Sequence, residues 1–421
     1  MYLRRGFFLP YACHEMTTLR FDLFCRVIDN FGDAGICWRL AQALSSAPYH
    51  ATVRLWIDDL ATLEKITQQH LRTTHSAACR KLSIHQWPSD EAAIKNHHWP
   101  NPHPIIIETF GAGIPQGMRQ QLTPNHLWIM LDHLSAEDWV ESFHGMPGHV
   151  GTKEPRKYFF YPGFTKHTGG LLRQPDLLSQ IQYWQAQPRP VQWQQLASPL
   201  NLYPKKQQQL LKSQVFFIFQ YPHAPIHQLL AFLSQQPTQT MLLFAADQQP
   251  LYQQAKAFLG ASYNQQSSIR LHLLPFITQP LFDRLLWSCD FNFVRGEDSW
   301  VRALWAQKPF IWQPYPQSQS THLYKLRAWL RRLALPHAVR KLFLQWNQSP
   351  IHYPLYKSPV TAPLTMDFTA LTPSIQQRWQ QCLRDEVHRL GTQPSLSVQL
   401  VSFCRQQLPT PALTHGTQSK Q

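Results

Sequence analysis

The stretch Asp290-Phe-Asn-Phe-Val-Arg-Gly-Glu-Asp-Ser-Trp-Val-Arg-Ala-Leu-Trp-Ala306, followed by Lys308-Pro-Phe-Ile-Trp-Gln-Pro-Tyr-Pro-Gln317, leaves little choice of fold. Phe291 to Val294 has strand character, Arg295 to Ser299 is a polar turn, Trp300 to Ala306 has helical spacing, and Phe310 to Gln313 is a second apolar strand. Strand, crossover helix and strand form a βαβ unit, which belongs to a parallel sheet covered on both faces. A polar turn in such a unit opens at the carboxyl end of the sheet, where α/β proteins bind ligands. The helix that follows presents unpaired N–H groups to an anion. The turn is therefore read as half of an active site. The plainer alternative is that Arg295, Glu297 and Asp298 only cap a helix, with Asp298 or Ser299 at the N-cap.

The same pattern recurs along the chain. Phe21 to Ile28 is a first strand, Asp29-Asn-Phe-Gly-Asp-Ala-Gly35 a turn, and Ile36 to Leu44 a helix. Strands at Val53 to Ile57, Leu82 to His85, Ile105 to Glu108 and Leu127 to Leu131 follow, with a helix from Leu60 to about His70. A second alternation starts at Val215 to Phe219. It continues with strands at Met241 to Ala245 and Ile269 to Leu274, helices at Pro225 to Ser234, Gln248 to Leu259 and Pro280 to Ser288, and then the opening unit.

Alternating strands and helices, twice over, predict two doubly wound α/β domains. The expected division is an N-terminal extension over 1–20, a first domain over 21–190, a Gln/Pro/Trp-rich linker over 191–214 and a second domain over 215–390. A C-terminal helix and tail over 391–421 is expected to return to the first domain. The extension resembles a signal peptide only weakly, and a true start at Met16 fits it better.

Seven scattered cysteines without CxxC or zinc-finger spacing point to a reducing cytoplasm and away from a structural metal. None of the 21 histidines forms HExxH. No run of eighteen apolar residues is present, so no spanning helix and no membrane partner are expected. Lys and Arg number 39 against 24 Asp and Glu, a formal net charge of +15, which favours an acidic partner. A nucleic-acid-binding protein would also carry such charge, but there is no RNP signature, zinc finger or sustained Lys/Arg run.

Two Rossmann-like halves followed by helices suggest a glycosyltransferase of the GT-B type, with substrates in the interdomain cleft. Val27-Ile-Asp-Asn-Phe-Gly-Asp-Ala-Gly35, Leu134-Ser-Ala-Glu-Asp-Trp-Val140, Tyr161-Pro-Gly-Phe-Thr165 with Thr168-Gly-Gly-Leu-Leu172, Leu274-Pro-Phe276 with Gln279, and Arg295-Gly-Glu-Asp-Ser299 occur in that order. This set resembles the protein-arginine rhamnosyltransferases that modify elongation factor P, the EarP family. Three departures stand out. Asp132-His133 replaces a usual Glu-Tyr, Pro222 follows Tyr221 where Glu is common, and Gln174 replaces an acidic residue. None touches the two carboxylate turns.

The resemblance implies dTDP-β-L-rhamnose as donor, an arginine of elongation factor P as acceptor, inversion at the anomeric carbon, and no cofactor. It also implies Asp33 as catalytic base and Asp29 as its partner, within a turn that includes Asn30, Phe31 and Gly32. On the residues alone, Asp29 could equally be a turn former and Asp33 an N-cap. An acceptor guanidinium has no lone pair to spare until it loses a proton, and full deprotonation by a carboxylate would cost about 12 kcal/mol. Carboxylates should therefore bind its fork and accept the proton as the C–N bond forms.

The second turn must hold the nucleotide. No Asp-x-Asp motif stands in a plausible site, so metal is not expected, and positive charge is assigned to Arg295 and to the N–H groups at Asp298, Ser299 and the helix start, with Gly296 also counted among the nucleotide-binding residues. Glu297, also placed among the catalytic residues, is expected to accept from the deoxyribose hydroxyl. Tyr221 and Phe276 follow strand ends and could stack on thymine, with Gln279 nearby, and a core role for Phe276 is the alternative. A glycosyltransferase of the same fold with a lipid-linked or small-molecule acceptor is the alternative.

Overall fold

The computed structural model describes residues 18–29, 31–71, 81–88, 93–94, 97–149, 151–260, 268–317, 320–348 and 365–408. The expected extension over 1–20 and the C-terminal tail lie largely outside them, as does Asn30.

The first half is a six-stranded parallel sheet in the order β3-β2-β1-β4-β5-β6. Its strands are β1 (Arg20–Cys25), β2 (Thr52–Ile57), β3 (Leu82–Gln86), β4 (Ile105–Thr109), β5 (Leu127–Leu131) and β6 (Arg156–Phe160). Its helices are α1 (Phe31–Ser45), α2 (Leu60–Thr67) and the short α3 (Gln116–Arg119) and α4 (Trp139–Phe143). Strand β1 is shorter than expected. The Val27 N–H is taken by Asp58 Oδ1 at 2.9 Å, and those of Ile28 and Asp29 by Asp33 Oδ2, so the chain leaves the sheet after Cys25. Strand β6 has no counterpart among the expected elements, because its sequence Arg-Lys-Tyr-Phe-Phe is only partly buried and shows no clear alternation.

The second half begins with α5 (Leu177–Ala186), α6 (Arg189–Ala197) and α7 (Pro204–Leu211). These occupy most of the segment expected as linker, yet Ile181, Trp184, Trp193, Leu196 and Leu210 are buried in the core of the second sheet. That sheet is parallel, in the order β11-β10-β7-β8-β9. It contains β7 (Gln214–Ile218), β8 (Thr240–Phe244), β9 (Ile269–Leu273), β10 (Phe291–Arg295) and β11 (Phe310–Gln313). The helices between are α8 (Ile226–Ser234), α9 (Gln249–Leu259), α10 (Gln279–Ser288) and α11 (Glu297–Ala306).

Four more helices follow: α12 (Thr321–Arg332), α13 (His337–Gln348), α14 (Pro373–Gly391) and α15 (Leu396–Gln407). Leu396, Leu400, Val401 and Cys404 of α15 pack into the core of the first sheet. Each such fully buried side chain contributes roughly 1.5–3 kcal/mol, so the last helix ties the two halves together.

In both sheets the strand order reverses beside the first strand, between β1 and β4 and between β7 and β10. The turns after β1 and β10 therefore lie at topological switch points, where the flanking helices diverge to opposite faces and leave a crevice. Those are the two turns singled out from the sequence.

Candidate active site

The turn after β10 is fixed by its glycine. Gly296 has φ 64°, in the left-handed region that other residues enter only at a cost. A Cβ added there would lie 3.0 Å from Asp29 Oδ2 of the other half. The Gly296 carbonyl accepts from the Trp312 indole at 2.7 Å, and its N–H donates to Gln313 at 3.2 Å. Gly296 itself is the N-cap of α11, where the plainer alternative put Asp298 or Ser299, and supplies no side-chain oxygen to the first-turn N–H groups. Those groups are left for a ligand.

Two cavities open on either side of this contact. The first is lined by Phe31, Phe217, Phe219, Asp247, Leu274, Phe276, Gln279, Arg295, Asp298 and Ser299, among others, and spans about 850 Å³, part of it open to solvent. The second is lined by Asp33, Phe110, His133, Glu297, Trp312, Tyr315 and Lys325, among others, and spans about 1240 Å³, part of it open to solvent. Asp29, Gly32 and Gly296 form walls of both.

Asp33 is buried in the first turn of α1. Its Oδ2 accepts from the backbone N–H groups of Ile28 and Asp29, both at 2.9 Å, and no partner of Oδ1 is found among the described residues. It thus caps the turn and still presents one carboxylate oxygen. Asp29 accepts from the Tyr221 hydroxyl at 3.0 Å. Burial raises its carboxyl above the ordinary value, and the Tyr221 bond and Arg295 only partly oppose that.

Several expected roles change. Tyr221 is buried and does not line the first cavity. Its ring lies under the Arg295 guanidinium at 4.8 Å and parallel to His223, so it is already packed against neighbouring side chains. Phe276 does line that cavity, half-exposed, with its edge against Phe31 of the first half at 5.4 Å. Gln279 lines it too, and its Nε2 donates to the Gly35 carbonyl at 3.1 Å.

Glu297 lies on the second cavity and not on the first, so its position does not suit a deoxyribose hydroxyl in the first. Its Oε2 accepts from the Leu134 N–H at 2.9 Å, and its Oε1 meets Lys325 at 2.5 Å and His133 at 3.4 Å. Burial alone would raise its carboxyl, but Lys325 and His133 hold it at about 2.

Arg295 reaches the first cavity, stacked on Phe219 at 4.7 Å, but its charge is already met by Asp247 at 2.5 Å. The Ser299 hydroxyl bonds back to the Arg295 carbonyl, which leaves its N–H as the ligand-facing group. The Asp298 carboxylate is held by Arg39 at 3.0 Å.

Arg39, Asp247, His133 and Lys325 are site residues that the sequence reading does not contain. His133 stands there only as a departure from the family pattern. Lys325 sits on α12, which is not among the expected elements. Nothing local in the sequence marks Arg39 or Asp247.

Two parallel α/β sheets with their switch points facing one another across ligand-sized cavities define a glycosyltransferase of the GT-B type. The fold matches a solved structure that addresses EarP-mediated arginine glycosylation of translation elongation factor EF-P. The TM-score is 0.58 at 25% identity, over 92% of this chain and 99% of that one. Residues 21–405 match the family model described as Elongation-Factor P (EF-P) rhamnosyltransferase EarP.

The chain is 37% identical over 338 residues to a protein-arginine rhamnosyltransferase of Shewanella oneidensis, covering 74% of this chain and 80% of that protein. It is 33% identical over 420 residues to one of Pseudomonas putida, covering 92% and 99%. The chain belongs to the EarP family of elongation factor P rhamnosyltransferases.

Proposed function

We propose that the first cavity binds the nucleotide of dTDP-β-L-rhamnose and the second admits an arginine side chain of elongation factor P, with transfer and inversion at the wall they share. The observation that carries this is the shared wall itself. Asp29 and Gly296 line both cavities, Asp33 lines the second, and Arg295, Asp298 and Ser299 line the first.

The apolar floor of Phe217, Phe219, Leu274 and Phe276 suits a thymine ring and its methyl group. The diphosphate lies at the N-terminus of α11, where N–H groups and the helix dipole favour negative charge, and Arg295 turns from Asp247 toward it. As the C–O bond to the diphosphate breaks, these donors stabilise the departing charge.

On the other side, Asp29 and Asp33 bind the guanidinium fork. Asp33, anchored through Oδ2, takes the proton through Oδ1 as the nitrogen attacks the anomeric carbon. Asp29 keeps the fork oriented, and its burial makes it a stronger acceptor than an exposed carboxylate. A single displacement with one base inverts the centre. The five described cysteines are all free, which fits a reducing cytoplasm, and among the described residues no helix is long and apolar enough to cross a membrane.

Intact-mass analysis of elongation factor P incubated with the chain and dTDP-rhamnose should show the gain of one deoxyhexose. Asp33→Asn should abolish that gain while dTDP titrates as for the wild type. Arg295→Ala should weaken dTDP binding. Equal loss of dTDP binding in Asp33→Asn would remove Asp33 from the role of base.

A further inference from the structure

A diphosphate placed at the start of α11 meets two acidic side chains, Glu297 and Asp298. Unscreened, each would repel it. Both are neutralised by cations, and part of that positive charge comes from the other half of the molecule. Glu297 is met by Lys325 of its own half and by His133 of the first. Asp298, which lines the first cavity, is met by Arg39 of α1.

Arg39 is buried and uses all of its guanidinium. Nε reaches Asp298 at 3.0–3.1 Å, while Nη1 and Nη2 grip Asp283 of α10 at 3.0 and 2.9 Å. Asp283 is gripped again by Arg302 of α11, at 3.0 and 2.7 Å. Two arginines and two aspartates thus balance one another. Without Arg39 the remaining three groups carry one net negative charge directly behind the diphosphate site.

Arg39 also sits on the helix whose first turn carries Asp33. Along α1, Asp33 faces the acceptor cavity, Gly35 accepts from Gln279, and Arg39 binds Asp298 and Asp283. At Gly35 a Cβ would come within 3.1 Å of Gln279 and 3.5 Å of Asp298, so α1 packs closely on side chains of the second half there.

We propose that Arg39 is a positioning residue that makes donor binding depend on the docking of the first half: it neutralises Asp298 beside the diphosphate and holds the helix bearing Asp33 in register with the sugar. This rests on the assignment of the first cavity to the donor nucleotide. Donor affinity is then low when α1 is withdrawn, because Asp298 and Asp283 are left with Arg302 alone. The base is brought to its working position by the same contact that makes the diphosphate site electrically acceptable.

The experiment is a double-mutant cycle read by calorimetric titration with dTDP, with Arg295→Ala as a control. Arg39→Met is expected to weaken dTDP binding by about tenfold or more, as for residues in one charge network. Adding Asp298→Asn to it should recover most of that loss, because the repelling charge is gone.

A merely structural role would give no recovery, and equal losses from Arg39→Met with and without the Asp298→Asn substitution overturn the proposal. If Arg39→Met does not fold, Arg39→Lys decides the matter. It keeps the charge but loses the fork, so dTDP affinity should hold near the wild-type value while kcat falls. A fall in dTDP affinity with kcat intact would contradict both assigned roles. An Arg295→Ala variant with unchanged dTDP affinity would instead show that the nucleotide lies elsewhere, and the proposal would fall with that assignment.

Discussion

The hydroxyl of Tyr221, at the end of the first strand of one sheet, donates to the carboxylate of Asp29, at the end of the first strand of the other, at 3.0 Å. Burial raises the Asp29 carboxyl and this bond lowers it, so removing the hydroxyl raises it further. Tyr221→Phe should therefore lose activity at higher pH than the wild type as the solution is acidified. A hydrogen bond to a charged group is worth about 1.5–3 kcal/mol, which sets the fall in kcat/KM at about tenfold or more. The pH profile of kcat/KM checks this. An acid limb that does not move would mean that Asp29 is not the group titrating.

Gly296→Ala should damage the site twice over. Its φ of 64° strains any other residue, and the new methyl group would press on Asp29 Oδ2 at 3.0 Å. The backbone component alone is worth about 1 kcal/mol, so a lowered melting temperature is expected together with weaker dTDP binding and slower transfer. Thermal melts beside calorimetry will show whether both fall. An unaltered variant would mean that the turn relaxes freely.

His133 supplies a pH dependence with a definite sign. Burial favours its neutral ring, but the Glu297 carboxylate outweighs that and raises its value above 6.5. The contact is therefore fully present below that unfolded value and is lost as pH rises through the raised folded value. Glu297 works in the opposite sense. Held at about 2, it contributes stability above its ordinary value of 4.5, lost as pH falls through about 2. The His133–Glu297 tie should thus be strongest in mildly acidic solution. Titration of the His133 ring by NMR should show the raised value, and Glu297→Gln should return it toward or below 6.5.

Transfer should survive EDTA. The carboxylates that could bind a cation beside the diphosphate are engaged elsewhere, Glu297 by Lys325 and His133 and Asp298 by Arg39. Restoration of a chelation-sensitive activity by added Mg²⁺ or Mn²⁺ would show that these contacts open to admit a metal.

Nearly every strand was legible in the sequence, because strands buried on both faces are short continuous runs of Phe, Ile, Leu and Val, as at Ile105–Thr109 and Phe291–Arg295. The exceptions have local causes. Arg156–Phe160 is an edge strand with partly exposed residues, and the helices at Leu177–Leu211 hide their apolar stripe among glutamines and prolines. The two turns were also legible as polar, glycine-containing turns after buried strands, while the residues alone left a capping role open for each.

What the sequence by itself determined is therefore the two-sheet architecture and the position of the two turns at strand ends, because both follow from local pattern. Which groups meet across the cleft was decided only by the tertiary structure. Tyr221 and Asp29 are 192 positions apart in the chain, and Arg39 and Asp298 are 259 apart. No periodicity links such pairs; they meet because both sheets turn their switch points to the same cleft. That geometry set Tyr221 beside Asp29 as its hydrogen-bond partner, put Glu297 on the second cavity, and brought Arg39, His133, Lys325 and Asp247 to the charges they balance.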